Sequence, residues 1–318
     1  MTSRPSPVRL LQGLLLFASL SPLAWAQKPS PLAQLAPGRW AQVAHALGVP
    51  GQIRGEAFRV DFAPLVHRVS IRAVRLAQGT IERPWVAFGQ EGGLGWMMGR
   101  LPLPASRCPS VTARLVQAGL QVNGIDDPLP GSTPALSVIY FRGMGDSVNL
   151  ARELKKALGD SLRPPPESPP RGVVRLNQVS IERVIGFHGR MDAGALVFHL
   201  SHPETVKCCG LPNDPLLLYS GIRLLPASGL ESRIAFQPTG AIAAVFGRLA
   251  LSHGETDSVE RALAAFGLQT VETAEPFADE YPRILFLHFF GKGKPLDLAQ
   301  GVRAAIERIH HLPPVTPP

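Results

Sequence analysis

The feature that most limits what this chain can fold into is an internal duplication. Phe88 is matched by Phe236, an offset of 236 − 88 = 148, and the same register pairs Gly99-Arg100-Leu101 with Gly247-Arg248-Leu249. It pairs Gly119-Leu120-Gln121 with Gly267-Leu268-Gln269, Pro128 with Pro276, Pro134 with Pro282 and Phe141 with Phe289. Gly143 and Gly145 meet Gly291 and Gly293, and Leu150-Ala151 meets Leu298-Ala299. Upstream, Gly51 aligns with Gly189, an offset of 189 − 51 = 138, so the second copy carries an insertion, expected around Lys207 to Leu218. Between the copies, Asp160 to Gly172 reads DSLRPPPESPPRG, a stretch that favours extended polyproline geometry. The expected boundaries are a first repeat over 40–159, a linker over 160–172 and a second repeat over 173–312. Pro-rich segments flank them at 27–39 and 313–318.

Each copy reads as one order of elements. A short helix, Trp40 to Leu47 and Ile181 to Phe187, opens the unit. Strands are expected over Ala57 to Phe62, Val69 to Leu76 and Trp85 to Gln90, and over Leu196 to Leu200, Leu217 to Leu224 and Ser232 to Gln237. Val69 to Leu76 alternates apolar and polar residues, the pattern of a half-buried strand. Strands follow at Leu94 to Leu101 and Ile242 to Leu251, then helices beginning near Ser110 and Ser252. Ser252-His253-Gly254-Glu255 has capping-box spacing, and Leu263, Phe266 and Leu268 are expected to face the core. Two more strands come next, Leu120 to Ile125 with Leu136 to Phe141, and Leu268 to Thr273 with Ile284 to Phe290. A last helix follows the Gly-x-Gly turn, with Asp146 as N-cap in one copy and Pro295 at the first helical position in the other. Paired strands with helices between them predict antiparallel sheets covered by helices, an α+β fold in tandem duplication.

The first 26 residues have the three-part pattern of a cleavable secretory signal. Arg4 and Arg9 are the positive region, and Leu10 to Leu20 is an apolar stretch short of the ~20 residues a spanning helix needs. Ala24-Trp25-Ala26 is the cleavage site, making Gln27 the expected first residue of an exported, periplasmic or secreted chain without a transmembrane segment. No cysteine follows that site, which argues against a lipoprotein anchor. The formal charge is +8; without Arg4 and Arg9 the chain stays basic. A basic exported protein suits acidic small molecules or envelope components. No run of Lys and Arg interleaved with aromatics points to nucleic acid. An oxidising compartment permits a disulfide among Cys108, Cys208 and Cys209, with Cys108 able to join either of the others and staple the halves.

The strand-turn-helix junctions are the candidate ligand sites. They are Arg142, Gly143 and Gly145 in the first copy and Gly291, Lys292, Gly293 and Lys294 in the second. Glycines and a helix N-terminus there could receive an anion, although the spacing is not that of a phosphate-binding loop. The order of elements, the duplication and this strand-Gly-x-Gly-helix ending resemble the LppY/LpqO family, exported two-repeat bacterial proteins of unestablished activity. The resemblance covers 40–310 and is strongest over 85–158 and 233–306. It implies a His-Asn-His loop after the penultimate strand and further histidines on the last strand of each repeat, a set that would suit a transition metal. Here the loops read Asp126-Asp127-Pro128 and Ala274-Glu275-Pro276. The strand positions hold Tyr140, Arg142 and Met144 in one copy and His288, Phe290 and Lys292 in the other.

Two functions are therefore expected to compete. One is a non-enzymatic binding protein for an acidic ligand or envelope component, without a cofactor. The other is a divalent-metal protein or metal-dependent hydrolase using Asp126, Asp127, Glu275 and His288. No Gly-x-Ser-x-Gly elbow or His-Glu-x-x-His is present. His188, His199, His202, His253 and the pair His310-His311 lie apart, and Trp40, Trp85 and Trp96 are expected in the core.

Overall fold

Helix α1 (Pro37–Leu47) begins each copy's pattern: Trp40, Val43 and Leu47 are buried at helical spacing, and Gly48 ends it at φ 71°. Its twin α4 (Gln178–Ile185) is capped by the Asn177 side chain, which accepts from the Ser180 N–H, and ends at Gly186 with φ 82°. The computed structural model describes residues 37–91, 93–163, 176–202, 206–208, 222–224, 229–252, 254–275 and 283–309. The proposed signal, most of the linker, most of the insertion expected around Lys207 to Leu218, His253, His310 and the C-terminal tail lie outside these.

The first copy continues with β1 (Gln52–Arg54), β2 (Ala57–Asp61), β3 (Ser70–Ile71), β4 (Val74–Arg75), β5 (Trp85–Glu91) and β6 (Leu94–Pro104). It ends with α2 (Cys108–Gln117), β7 (Gln121–Asp126), β8 (Leu136–Met144) and α3 (Ser147–Leu158). After α4, the second copy runs β9 (Arg190–Asp192), β10 (Ala195–Ser201), β11 (Val206–Cys208), β12 (Ile222–Leu224), β13 (Glu231–Thr239) and β14 (Ile242–Ser252). It closes with α5 (Thr256–Ala265), β15 (Gln269–Ala274), β16 (Ile284–Gly293) and α6 (Pro295–Ile306). Among the described residues, no helix is long and apolar enough to cross a membrane.

The two main sheets have the same order, β1-β2-β5-β6-β8-β7 and β9-β10-β13-β14-β16-β15, antiparallel throughout. Their registers reproduce the sequence offset. Gly99 faces Phe141 and Gly247 faces Phe289, and a Cβ on either glycine would lie 2.1 or 2.0 Å from the opposing ring. The glycine is repeated because the ring needs its space. Bulges recur too, between Val122 and Gly124 and between Thr270 and Glu272. Phe58 pairs with Phe88 and Leu196 with Phe236, which puts the extra residues of the second copy between β10 and β13.

One face of each sheet carries its own helices. Met97, Leu101 and Leu103 pack with Val43, Leu47, Leu115 and Leu154; Val245, Leu249 and Leu251 pack with Ile181, Leu263, Val302 and Ile306. The opposite faces pack on one another. Trp85, Trp96, Met98 and Tyr140 share a cluster with Leu230, Ala250, Ile284 and Phe286, and the Tyr140 and Phe286 rings are 6.4 Å apart. The layers are thus helix, sheet, sheet, helix. Covering on both faces explains why β6 and β14 read as nearly unbroken apolar runs.

Three local expectations change. Val69 to Leu76 is not one strand but the tight hairpin β3–β4, turned by Arg72 and Ala73 at φ 47° and 63°. The alternation is real: Val69, Ile71, Val74 and Leu76 are buried together against Phe246 and Phe290 of the other copy. Phe266 does not face the core. It follows the last turn of α5 and is 41% exposed, while Leu263 and Leu268 are buried. The strand expected at Leu217 to Leu224 is described only as β12, which pairs with β11.

Candidate functional site

The sheets meet through charge as well as hydrocarbon. Alternation along β6 and β14 turns Arg100 and Arg248 away from the helices and into the inter-sheet layer, where each is 4% exposed. Across the strands, Arg100 faces Tyr140 and Arg248 faces His288. Glu82, just before β5, serves both arginines. Its Oε2 pairs closely with Arg100 and accepts from Arg248 Nη1 at 3.1 Å, while Oε1 accepts from Trp85 Nε1 at 3.0 Å. Burial alone would raise this carboxyl; Arg100, Arg248, Arg233 and Arg59 override it and hold it far below the usual carboxylate range.

Around that bridge runs a hydrogen-bonded chain. Arg100 Nε donates to the Tyr140 hydroxyl at 3.2 Å, and that hydroxyl donates to Asp126 Oδ2 at 2.9 Å. His288 Nε2 lies 3.5 Å from the same Asp126 oxygen, an ion-pair distance without hydrogen-bond geometry. Burial pushes the His288 imidazole down against the pull of Asp126, favouring its neutral form. Burial would raise Asp126, but His288, Arg100 and Tyr140 bring it below its ordinary value. On β13, Arg233 donates to the carbonyls of Thr80, at 2.9 Å, and Gly79. Burial, with Arg248 and Arg100 nearby, lowers its pKa although Glu82 and Asp192 act in the other direction. Gln237 also ties the copies together, accepting from Thr80 Oγ1 at 2.7 Å and donating to the Arg75 carbonyl at 2.9 Å. A cavity of about 60 Å³ opens here, lined by Glu82, Arg100, Arg233, Arg248, His288 and Leu129 among others.

The expected anion turns lie elsewhere and do not line this cavity. Gly143 and Gly291 sit on the helix-facing side, where a Cβ would come within 2.8 Å of Leu150 and 2.1 Å of Leu268. Gly145, at φ 137°, donates its N–H to the Gly95 carbonyl at 2.8 Å. The start of α3 is already served by a carboxylate, because Asp146 accepts from the N–H groups of Val148 and Asn149, both at 3.0 Å, and pairs with Arg39. Arg142 donates to Gln121 at 2.7 Å. In the second copy Lys292 and Lys294 are exposed, Gly293 ends β16, and Pro295 removes one N–H from the start of α6.

Of the four candidate metal ligands, Asp126 and His288 come together in the inter-sheet layer. Asp127 adjoins them, and its N–H donates across the copies to Glu272 Oε1 at 3.1 Å. Glu275 is exposed and pairs with Arg283 at 3.2 Å. Among the described residues, no three His, Cys, Asp or Glu side chains gather where they could hold a metal. Arg100 and Arg248 beside Asp126 and His288 repel a cation, whereas Asp127 and Glu272 on the other side would attract one. Cys108 is a buried free thiol; the Cys208 side chain and Cys209 lie outside the described residues.

Glu82, Arg100, Arg233, Arg248 and Glu272 escaped the sequence reading. One signal was present: an arginine recurs inside two apolar strands, as Gly99-Arg100-Leu101 and Gly247-Arg248-Leu249.

Fold and site together define a duplicated α+β protein whose halves close on a buried, arginine-rich centre. The chain belongs to the family described as Domain of Unknown Function (DUF1259), whose model matches residues 41–160 and again 180–308, one match per copy. No curated protein matches the chain. Among solved structures, a trimeric bacterial microcompartment shell protein, PduB, aligns over 82% of this chain and 90% of its own, at 8% identity and a TM-score of 0.21, too low to bear on fold or function.

Proposed function

We propose that this is an exported, non-enzymatic binding protein for an acidic ligand, taken up between the two copies rather than at the Gly-x-Gly turns, and that it is a protein of the LppY/LpqO kind. One observation carries the reading: three arginines, each at least nine-tenths buried, surround one open cavity at the junction of the copies. Buried guanidiniums are costly unless matched by anions, and arginine is the side chain suited to carboxylate and phosphate recognition. The sequence holds no Gly-x-Ser-x-Gly elbow and no His-Glu-x-x-His of a hydrolase. Export rests on the signal-like sequence of residues 1–26.

The test is equilibrium binding of acidic small molecules and acidic envelope polymers to the full mature chain and to Arg248→Gln. The expected result is saturable binding that the variant loses while its circular dichroism is unchanged. Binding of neutral compounds only would end the proposal. So would stoichiometric zinc, iron or manganese in the purified protein that disappears in His288→Ala. Fusing residues 1–26 to a reporter active only outside the cytoplasm tests export separately.

A further inference from the structure

The cavity between the copies has two unlike ends. Residues two apart on a strand share a face, about 7 Å from one another. Arg248 on β14 faces Arg233 on β13 and His288 on β16, and these three make up the charged end. Two residues earlier on β14 stands Phe246. On the opposing sheet, Arg100 is followed two residues along β6 by Pro102, which faces Val138 on β8. The lining thus changes from charged to apolar within two residues on both sheets. Ile81, Leu129 and Leu136 complete the apolar end, packed in one cluster with Phe246.

The two ends call for different groups on one ligand. At the charged end, Arg248 Nε is buried without an acceptor among the described residues, an idle donor that costs free energy. At the apolar end, carbon surface lines an open cavity, and covering it with hydrocarbon is favourable. An inorganic ion would answer the first and leave the second; a neutral hydrocarbon would do the reverse. An apolar lining with a few polar groups that fix orientation is the usual form of a small-molecule site. We infer that the cavity binds a free amphiphilic oxyanion, with its head at Arg248 and a short aliphatic or aromatic body against Leu129, Leu136 and Phe246. This rests on the acidic-ligand reading above and names the class of ligand. A lipid held in a bilayer is not such a ligand, because the lining lies between two sheets.

Calorimetric titration of the full mature chain, at fixed ionic strength, tests this with acetate, butyrate, hexanoate, sulfate, hexanol and phosphatidylglycerol vesicles. Affinity is expected to rise about fourfold per methylene from acetate to butyrate. Sulfate and hexanol should each bind at least about tenfold more weakly than hexanoate. Leu129→Ser should weaken hexanoate by about tenfold and leave acetate unchanged, a split that a general loss of structure would not give. If that variant fails to fold, the wild-type chain-length series decides alone. Acetate or sulfate binding as tightly as hexanoate, or binding of vesicles only, overturns this inference and leaves the acidic-ligand reading standing. Hexanol binding as tightly as hexanoate overturns both, as does failure of these acids and of the acidic polymers alike.

Discussion

At the scale of single residues, the duplication is a record of steric need. Gly99 and Gly247 recur because Phe141 and Phe289 lie across them, each ring buried. Gly99→Ala or Gly247→Ala should cost about 1–3 kcal/mol by overpacking. Urea titration should give a lower midpoint at an unchanged slope; an unaltered midpoint would mean that the ring yields freely. Glu272 is a different case. Burial first, then Asp126 and Asp127, push its carboxyl up from an ordinary 4.5 to about 7. Its folded form holds a proton more tightly than its unfolded form. The stability it contributes is therefore complete below about pH 4.5 and is lost as pH rises through about 7. Glu272→Gln keeps an acceptor for the Asp127 N–H and removes the titration. Thermal melts at pH 5 and pH 8 should show the variant gaining on wild type at the higher pH; an equal gap at both would contradict the assignment.

At the scale of elements, what could be read in advance depended on whether a segment had a twin to be compared with. The sheet strands and helices flanking Gly99 and Gly247 were legible because each apolar pattern appears twice. The hairpin β3–β4 was not, because four alternating apolar residues suit a strand and a tight turn equally, and its counterpart in the other copy diverges in length. The site was hidden for another reason. Sequence alternation says which residues share a strand face, but not that the face opposite the helices meets a second sheet. Arg100 and Arg248 therefore served as repeat markers, not as a charged centre. Capping was readable from residue type at Asp146 but not at Ser252, since α5 starts only at Thr256 with Glu255 at its N-cap and no side-chain cap bond, and α3 gives a test. Asp146 serves two N–H groups and Arg39, so Asp146→Ala should lower stability by about 1 kcal/mol, read as a lower urea midpoint. Lys294, the equivalent position of α6, has no side-chain cap bond, and its replacement by alanine should leave the midpoint unchanged.

At the scale of the whole molecule, the two copies need each other. The inter-sheet face of the first carries Trp85, Trp96, Met98, Val138 and Tyr140, all buried in a cluster they share with Leu230, Ala250, Ile284 and Phe286 of the second. Residues 37–163 expressed alone should therefore self-associate or precipitate; a monodisperse monomer by light scattering would refute the shared layer. Nor are the halves interchangeable. Glu82, whose carboxylate joins Arg100 to Arg248, stands at the register of Leu230, by 230 − 82 = 148. A self-paired first half would bring two such acids to the seam, and a self-paired second half would bring none. Fusing both halves in one chain is what allows an odd number of charges at the place where they join, an asymmetry that no assembly of identical subunits about a twofold axis can have.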